Sequence, residues 1–310
     1  MPTAMPFYRR PLARITTGAL LAAAASVSLV PSQADAGERW LQARSMPVAA
    51  NKVMVAVTVQ HAKLPSRMVY VSNLQGKIIA QGVLTRGGKA LVPVSVRPGT
   101  ATQVYVTFRH TRARLTVPVS TTARYMATSS WRIINKVNGV NNAYTPRVLT
   151  QMAGVPIDKR AGAPLQRLLK DAARDGVKIY GSNGYRSWGW QRSLYQSYVN
   201  RDGRAAADTF SARPGYSEHQ TGFAFDAKAA DGRCSLESCF AGTKSGQWLA
   251  KHAAAYGFVV RYTPQNSKVT GYEPEPWHLR YVGTWLTGYL NETKLPSLEQ
   301  AFKMPAAPSY

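Results

Sequence analysis

The stretch "YSEHQTGFAFDA", Tyr216–Ala227, decides the reading of this chain. It places Glu218, His219 and Asp226 close together and surrounds Asp226 with small and aromatic residues. If "GFAFDA" is a strand, successive side chains point to opposite faces. Phe223 and Phe225 then share one face, while Gly222, Ala224 and Asp226 share the other. The Phe face is the core. The Asp226 face has room for something to approach, and a carboxylate there is costly unless paired or bound to a cation.

A second stretch, "EPEPWHLRYVG", has the same character. As a strand it points His278 and Arg280 one way and Trp277, Leu279 and Tyr281 the other. Glu275 stands three residues before His278, which breaks strict alternation, and Pro276 makes a bend or bulge plausible there. The chain has five His. His61 and His110 fall among strand-like residues without partners, and His252 sits inside a helical pattern where packing or capping explains it. His219, Asp226 and His278 remain. Two imidazoles and a carboxylate leave the fourth position of a tetrahedral Zn²⁺ open, as catalytic rather than structural sites do. A nearby Glu that is not a ligand can move the proton of an attacking water. H-x6-D lacks the helical HExxH spacing, so either stretch alone also fits satisfied polar residues at strand ends.

Three ordered motifs separate these readings. "SEHQTGFAFD" fits S-x-H-x-x-G-x-A-x-D at every fixed position, "EPWHLRYVG" fits E-P-W-H-x-R-Y-V-G, and "SNGYRSWGWQ" resembles S-G-Y-R-S-x-x-x-Q with Asn183 inserted before the Gly. Together they resemble the VanY-type D-alanyl-D-alanine carboxypeptidases, zinc peptidases of the bacterial cell wall, over roughly Ile133 to Tyr289. The resemblance implies one Zn²⁺ per chain on His219, Asp226 and His278, with Glu275 as general base and then acid. It implies Arg186 at the scissile carbonyl, where a permanent planar charge suits an oxyanion. Gln191 and Ser217 would bond the substrate. Glu218, between motif positions, reads as solvated, and Arg280 as a partner behind a ligand.

Outward from these motifs the residues around them read as α+β: a small antiparallel sheet with flanking helices. "APLQRLLKDAARDG" is an amphipathic helix with Pro164 in its first turn and Gly176 at its end. Ser187 and Ser245 read as caps of two further helices. Upstream, Val53–Val119 alternates with period two through six strand-like runs, which predicts an all-β, sandwich-like domain whose Pro93 and Pro118 mark edge strands. Domain organisation follows as residues 37–120 for a basic β domain, 121–130 for a linker, 131–292 for the peptidase domain and 293–310 for a tail.

Residues 1–36 read as a secretory signal peptide: Arg9, Arg10 and Arg14, then an apolar run, then the small-x-small site Ala34–Ala36. That run is shorter than the roughly 20 residues of a spanning helix. No other segment reads as transmembrane, so the expectation is a secreted, wall-associated monomer. Cys234 and Cys239, in "RCSLESCF", then read as a disulfide closing a short loop. Formal net charge is +24, and no Asp or Glu occurs between Glu38 and Asp158. Such a one-signed half needs a polyanion to balance it. Anionic wall polymers fit, with no specific nucleic acid implied. Expected substrates are peptidoglycan stem peptides. L,D-carboxypeptidase, D,D-endopeptidase and a wall-binding protein of reduced activity stay open as alternatives. A serine acylase does not, because no Ser is followed three residues later by Lys.

Overall fold

Seven strands open the described part of the chain: β1 (Leu41–Ala49), β2 (Lys52–Val59), β3 (Met68–Ser72), β4 (Ile78–Val83), β5 (Lys89–Ser95), β6 (Ala101–Phe108) and β7 (Arg114–Ser120). The computed structural model describes residues 40–60, 67–108 and 114–310. The expected signal peptide, His61 and His110 lie outside these. The strands form two antiparallel sheets, ordered β1-β2-β5 and β4-β3-β6-β7. Both Pro93 in β5 and Pro118 in β7 are on edge strands, as a residue without an N–H requires. Val53, Val55 and Val57 of β2 meet Val69, Val71, Val104 and Val106 of the other sheet in one core. β1 lacks a clean alternation and was not apparent in the sequence.

The segment expected as a linker holds a short helix, α1 (Ala123–Thr128). After it come the hairpin β8 (Leu149–Met152) and β9 (Val155–Asp158), then α2 (Lys159–Arg174), β10 (Ile179–Asn183), α3 (Trp188–Asp202) and α4 (Arg204–Phe210). β11 (Ala224–Ala229), α5 (Lys244–His252), β12 (Phe258–Tyr262), α6 (Ser267–Thr270), β13 (Glu275–Tyr281), α7 (Thr284–Thr293) and α8 (Leu298–Ala301) complete the chain. α2 begins five residues before Pro164, because the Asp158 side chain accepts from Arg160 N and starts it earlier. α3 is capped by Ser187 as expected, whereas Thr243 rather than Ser245 caps α5.

The sheet β10-β11-β13-β12 carries the site. Its inner face is Phe223, Phe225 and Leu279 packed on Leu165 and Leu168 of α2 and Trp248 of α5. Each such buried side chain contributes roughly 1.5–3 kcal/mol. A third core joins the two halves: Met54, Ala56 and Leu91 pack against Trp131, Leu286, Leu298 and Phe302. β2 is therefore buried on both faces, and the described residues form one compact unit. The 293–310 segment is part of this unit, with α8 in the joining core. Among the described residues no helix is long and apolar enough to cross a membrane.

Candidate metal centre and substrate cleft

Register places the key groups. In the antiparallel pair of β11 and β13, Phe225 opposes Leu279 on the core face, and the next pair, Asp226 and His278, faces the other way. On the far side of β11, Asn183 of β10 also opposes Asp226, at a register shift after Gly181. The residue inserted into the third motif is thus the one at this irregularity, and its Nδ2 donates to Asp226 Oδ2 at 3.0 Å. Sequence reasoning had given Asn183 no role.

His219 comes from a 3-10 turn, Glu218–Thr221, whose first amide contact is His219 N donating to Ser217 Oγ at 3.3 Å. The turn ends at Gly222 with φ 72°, in the left-handed region that favours Gly. His219 Nδ1 lies 2.7 Å from Gly184 O, so Nδ1 carries the proton and the lone pair is on Nε2. Gly184 is required there: a Cβ would meet Pro156 O at 2.2 Å. His219 Nε2 is 3.2 Å from Asp226 Oδ2, and His278 Nδ1 is 3.1 Å from Asp226 Oδ1. The donor atoms of the three residues all lie within 4.8 Å of one another.

These residues fit a metal cation. Asp226 is buried, and its Oδ1 faces His278 Nδ1 at 3.1 Å without hydrogen-bond geometry, an arrangement that a cation between the two atoms would satisfy. Burial would raise the Asp226 carboxyl, yet His219 and His278 hold it well below the usual range. Burial opposes a charged His278, but Asp226 and Glu218 push it up to about 10. A proton and a metal ion compete for the same Nδ1 lone pair, so this pull on a proton is also a pull on a cation.

Glu275 reaches the centre through a bulge. Along β12 and β13, Val260 opposes Leu279 but Tyr262 opposes Glu275, so two extra residues loop out of β13. That irregularity brings Glu275 Oε2 to 3.5 Å from His278 Nδ1 despite the unfavourable spacing. Burial pushes the Glu275 carboxyl up to about 8, against the opposing pull of His278. Arg186 starts the turn into α3 and its backbone N donates to His219 O at 3.2 Å. Its Nε is buried without a partner, and burial lowers its pKa while Asp226 and Glu275 counter that.

The cleft outside these groups has a volume of about 680 Å³ and is walled by Tyr198, Ser217, Tyr262, Trp277 and, from the disulfide loop, Leu236 and Glu237. Cys234 and Cys239 are bonded, as expected. Two expectations change. Gln191 does not line the cleft: it is 1% exposed, and its Nε2 donates to Ala212 O at 2.7 Å, bracing the wall from behind. Glu218 is not solvated. It is 2% exposed, with Arg261 Nε at 2.9 Å and Arg280 Nη1 at 3.1 Å from Oε1, and His278 Nε2 at 3.4 Å from Oε2. Burial would raise its carboxyl, but the two guanidinium groups hold it far below the usual range. A carboxylate on the outer nitrogen of a ligand His fixes tautomer and ring orientation. The signal was present in "FVVRY" and "HLRYVG": an Arg inside an apolar strand implies a buried acid.

A sheet floor with a three-donor centre, a separate carboxyl group and an arginine in an open cleft defines a hydrolase-like site. The class becomes specific by comparison. Residues 155–284 match the family model for VanY, D-alanyl-D-alanine carboxypeptidase, and through this segment the chain belongs to the VanY-type peptidases. YodJ of Bacillus subtilis (strain 168) is 35% identical over 147 residues, covering 47% of this chain and 54% of YodJ. The D-alanyl-D-alanine carboxypeptidase of Enterococcus faecalis (strain V583) is 34% identical over 160 residues, 49% of this chain and 58% of that protein. The chain thus spans little more than half the length of these relatives. Among solved structures, the LdcB LD-carboxypeptidase aligns with a TM-score of 0.54 at 30% identity, over 58% of this chain and 88% of that one. The vancomycin-resistance D,D-dipeptidase VanXYg, in complex with a D-Ala-D-Ala phosphinate analogue, aligns with a TM-score of 0.52 at 25% identity, over 57% and 72%. β1 to β7 lie outside the family match.

Proposed function

We propose that the protein is a secreted zinc-dependent D-alanyl-D-alanine carboxypeptidase that removes the terminal D-Ala of peptidoglycan stem peptides. The observation that carries this is the buried Asp226 carboxylate with one oxygen against each of two imidazoles, at the floor of a cleft that also holds Glu275 and Arg186. His219 Nε2, an Asp226 oxygen and His278 Nδ1 would hold one Zn²⁺. Zinc bound there would supply Lewis acidity toward the scissile carbonyl and make a bound water more acidic. Glu275 takes the proton of the attacking water and passes it to the leaving amine. Burial raises its carboxyl, and a bound Zn²⁺ would draw it back toward the ionised form that accepts the proton. Arg186 offers donors to the carbonyl oxygen as charge develops on it. Ser217, which lines the same cleft, bonds the substrate.

L,D-cleavage is the second reading. An LD-carboxypeptidase and a D,D-dipeptidase align with this chain at similar TM-scores, which supports this reading beside the first. The N-terminal region serves as an anchor to anionic wall polymers. Arg67, Lys77, Arg86, Arg97, Arg114 and Arg124 are all exposed there, and no acid neutralises them between Arg39 and Ile157. Mass analysis of purified muropeptides after incubation, with and without chelator, tests the assignment. The expected change is loss of one D-Ala from pentapeptides in the untreated sample alone. Cleavage at another bond, or undiminished cleavage after chelation, would overturn the specificity or the metal reading respectively.

A further inference from the structure

Glu299 lies beyond the family match, in a segment that read as a tail, yet its side chain is fully buried. It stands on the short α8, where the Ser297 Oγ accepts from Gln300 N at 3.1 Å. Leu298, Ala301 and Phe302 on either side of it pack into the core shared with Val48, Met54 and Leu91 of the N-terminal sheet. The backbone at Glu299 is therefore held from the β region. Its carboxylate takes both terminal nitrogens of Arg261, Oε1 to Nη2 at 2.7 Å and Oε2 to Nη1 at 3.1 Å, and Asn135 Nδ2 donates to Oε1 at 3.1 Å.

Arg261 uses its remaining donor, Nε, on Glu218 Oε1 at 2.9 Å. Arg280 Nη1 approaches the same oxygen at 3.1 Å. Glu218 Oε2 is thereby left to His278 Nε2, 3.4 Å away. Two cations and two anions, each at most 2% exposed, form a balanced quartet behind the metal centre. Removing one member of such a group leaves a buried charge uncompensated. Without Glu299, Glu218 is the carboxylate left in contact with the Arg261 guanidinium and would be drawn toward its free fork. Oε2 would then leave His278.

We propose that Glu299 is a positioning residue for the metal centre: by occupying the fork of Arg261 it keeps Glu218 turned toward His278 Nε2. The proton of His278 then stays on Nε2, and Nδ1 stays presented beside Asp226. This rests on the zinc reading above. It makes the C-terminal segment, and through it the N-terminal sheet, part of the support of the site.

The test measures Zn²⁺ affinity of the full-length, metal-stripped chain by competition with a chromogenic chelator, together with the visible spectrum of the Co²⁺ form. Three proteins are compared: wild type, Glu299→Gln, and Leu298→Ala, which loosens the same helix without touching the charges. Outer partners of ligand His residues typically change metal affinity 10–100-fold. At one further remove, Glu299→Gln is expected to weaken Zn²⁺ about ten-fold and to alter the Co²⁺ spectrum. Leu298→Ala is expected to lower the melting temperature but keep affinity within about two-fold of wild type. If wild type binds no Zn²⁺, the zinc reading itself fails. If wild type binds and Glu299→Gln binds equally well, or Leu298→Ala weakens binding as much, the positioning role is refuted. Should Glu299→Gln not fold, the double variant Arg261→Met/Glu299→Leu removes both charges together. Weaker binding is again expected, and wild-type affinity overturns the proposal.

Discussion

Replacing Glu275 by Gln keeps the shape of the side chain and removes its ability to take a proton. Positioned acid–base groups contribute roughly 10²–10⁴-fold to rate, which is about 2.7–5.4 kcal/mol at 1.36 kcal/mol per factor of ten. The structure places this variant at the upper end, because the other acids of the cleft cannot stand in. Glu218 is engaged by Arg261 and Arg280. Asp226 faces both imidazoles. Glu273 is exposed and bonded to Thr209 Oγ1 at 3.0 Å, and Glu237 is exposed on the disulfide loop. We therefore expect kcat for release of D-alanine from a synthetic peptide ending in D-Ala-D-Ala to fall about 10⁴-fold. KM and zinc content, the latter by atomic emission, should stay near wild type. A kcat within ten-fold of wild type would mean that Glu275 is not the base. Loss of zinc together with activity would mean that it is a ligand.

Four further outcomes follow from the same geometry. His219→Ala and Asp226→Ala should each purify with no stoichiometric zinc, and dialysis of wild type against chelator should abolish activity that Zn²⁺ then restores; zinc retained by either variant counts against the ligand set. Asn183→Ala removes a hydrogen bond to a charged group, worth about 1.5–3 kcal/mol, and should weaken zinc at least several-fold in a competition titration; unchanged affinity makes Asn183 a bystander. Replacing Cys234 and Cys239 by Ser should cost about 2 kcal/mol in denaturant unfolding and raise KM with kcat unchanged, since the loop supplies Leu236 and Glu237 to the cleft. Association with isolated cell walls should fall steeply as salt rises toward molar concentration, where the Debye length is about 3 Å; salt-insensitive binding would exclude an electrostatic anchor.

The residues that the structure gathers at the centre were legible because they are dictated locally. His219 and Asp226 sit in one motif, and alternation alone put Phe223 and Phe225 on one face and Asp226 on the other. Glu275 was less legible: its reach to His278 depends on a bulge defined only by pairing with β12. Glu218 was misread for a related reason. Its partners Arg261 and Arg280 are more than forty residues away, and nothing adjacent in the sequence marks it as buried. Gln191 followed the motif faithfully but faces a wall rather than the cleft, because α3 turns its side chain under Ala212. The period-two pattern of β2 puts Val53, Val55, Val57 and Val59 on one face. Met54 and Ala56, on the second face, pack against Trp131 and Leu286, partners that nothing near β2 in the sequence marks.

That second face changes how the chain can be cut and recombined. The N-terminal sheet is not a cassette attached by a tether. Trp285 Nε1 donates to Thr58 Oγ1 at 2.8 Å and Lys89 pairs with Glu292, both across the seam where Met54 and Leu91 pack against Trp131. A fusion or truncation designed at residues 121–130 would split a core and leave an apolar surface on both fragments. The N-terminal sheets and the cleft therefore move as parts of one packed unit.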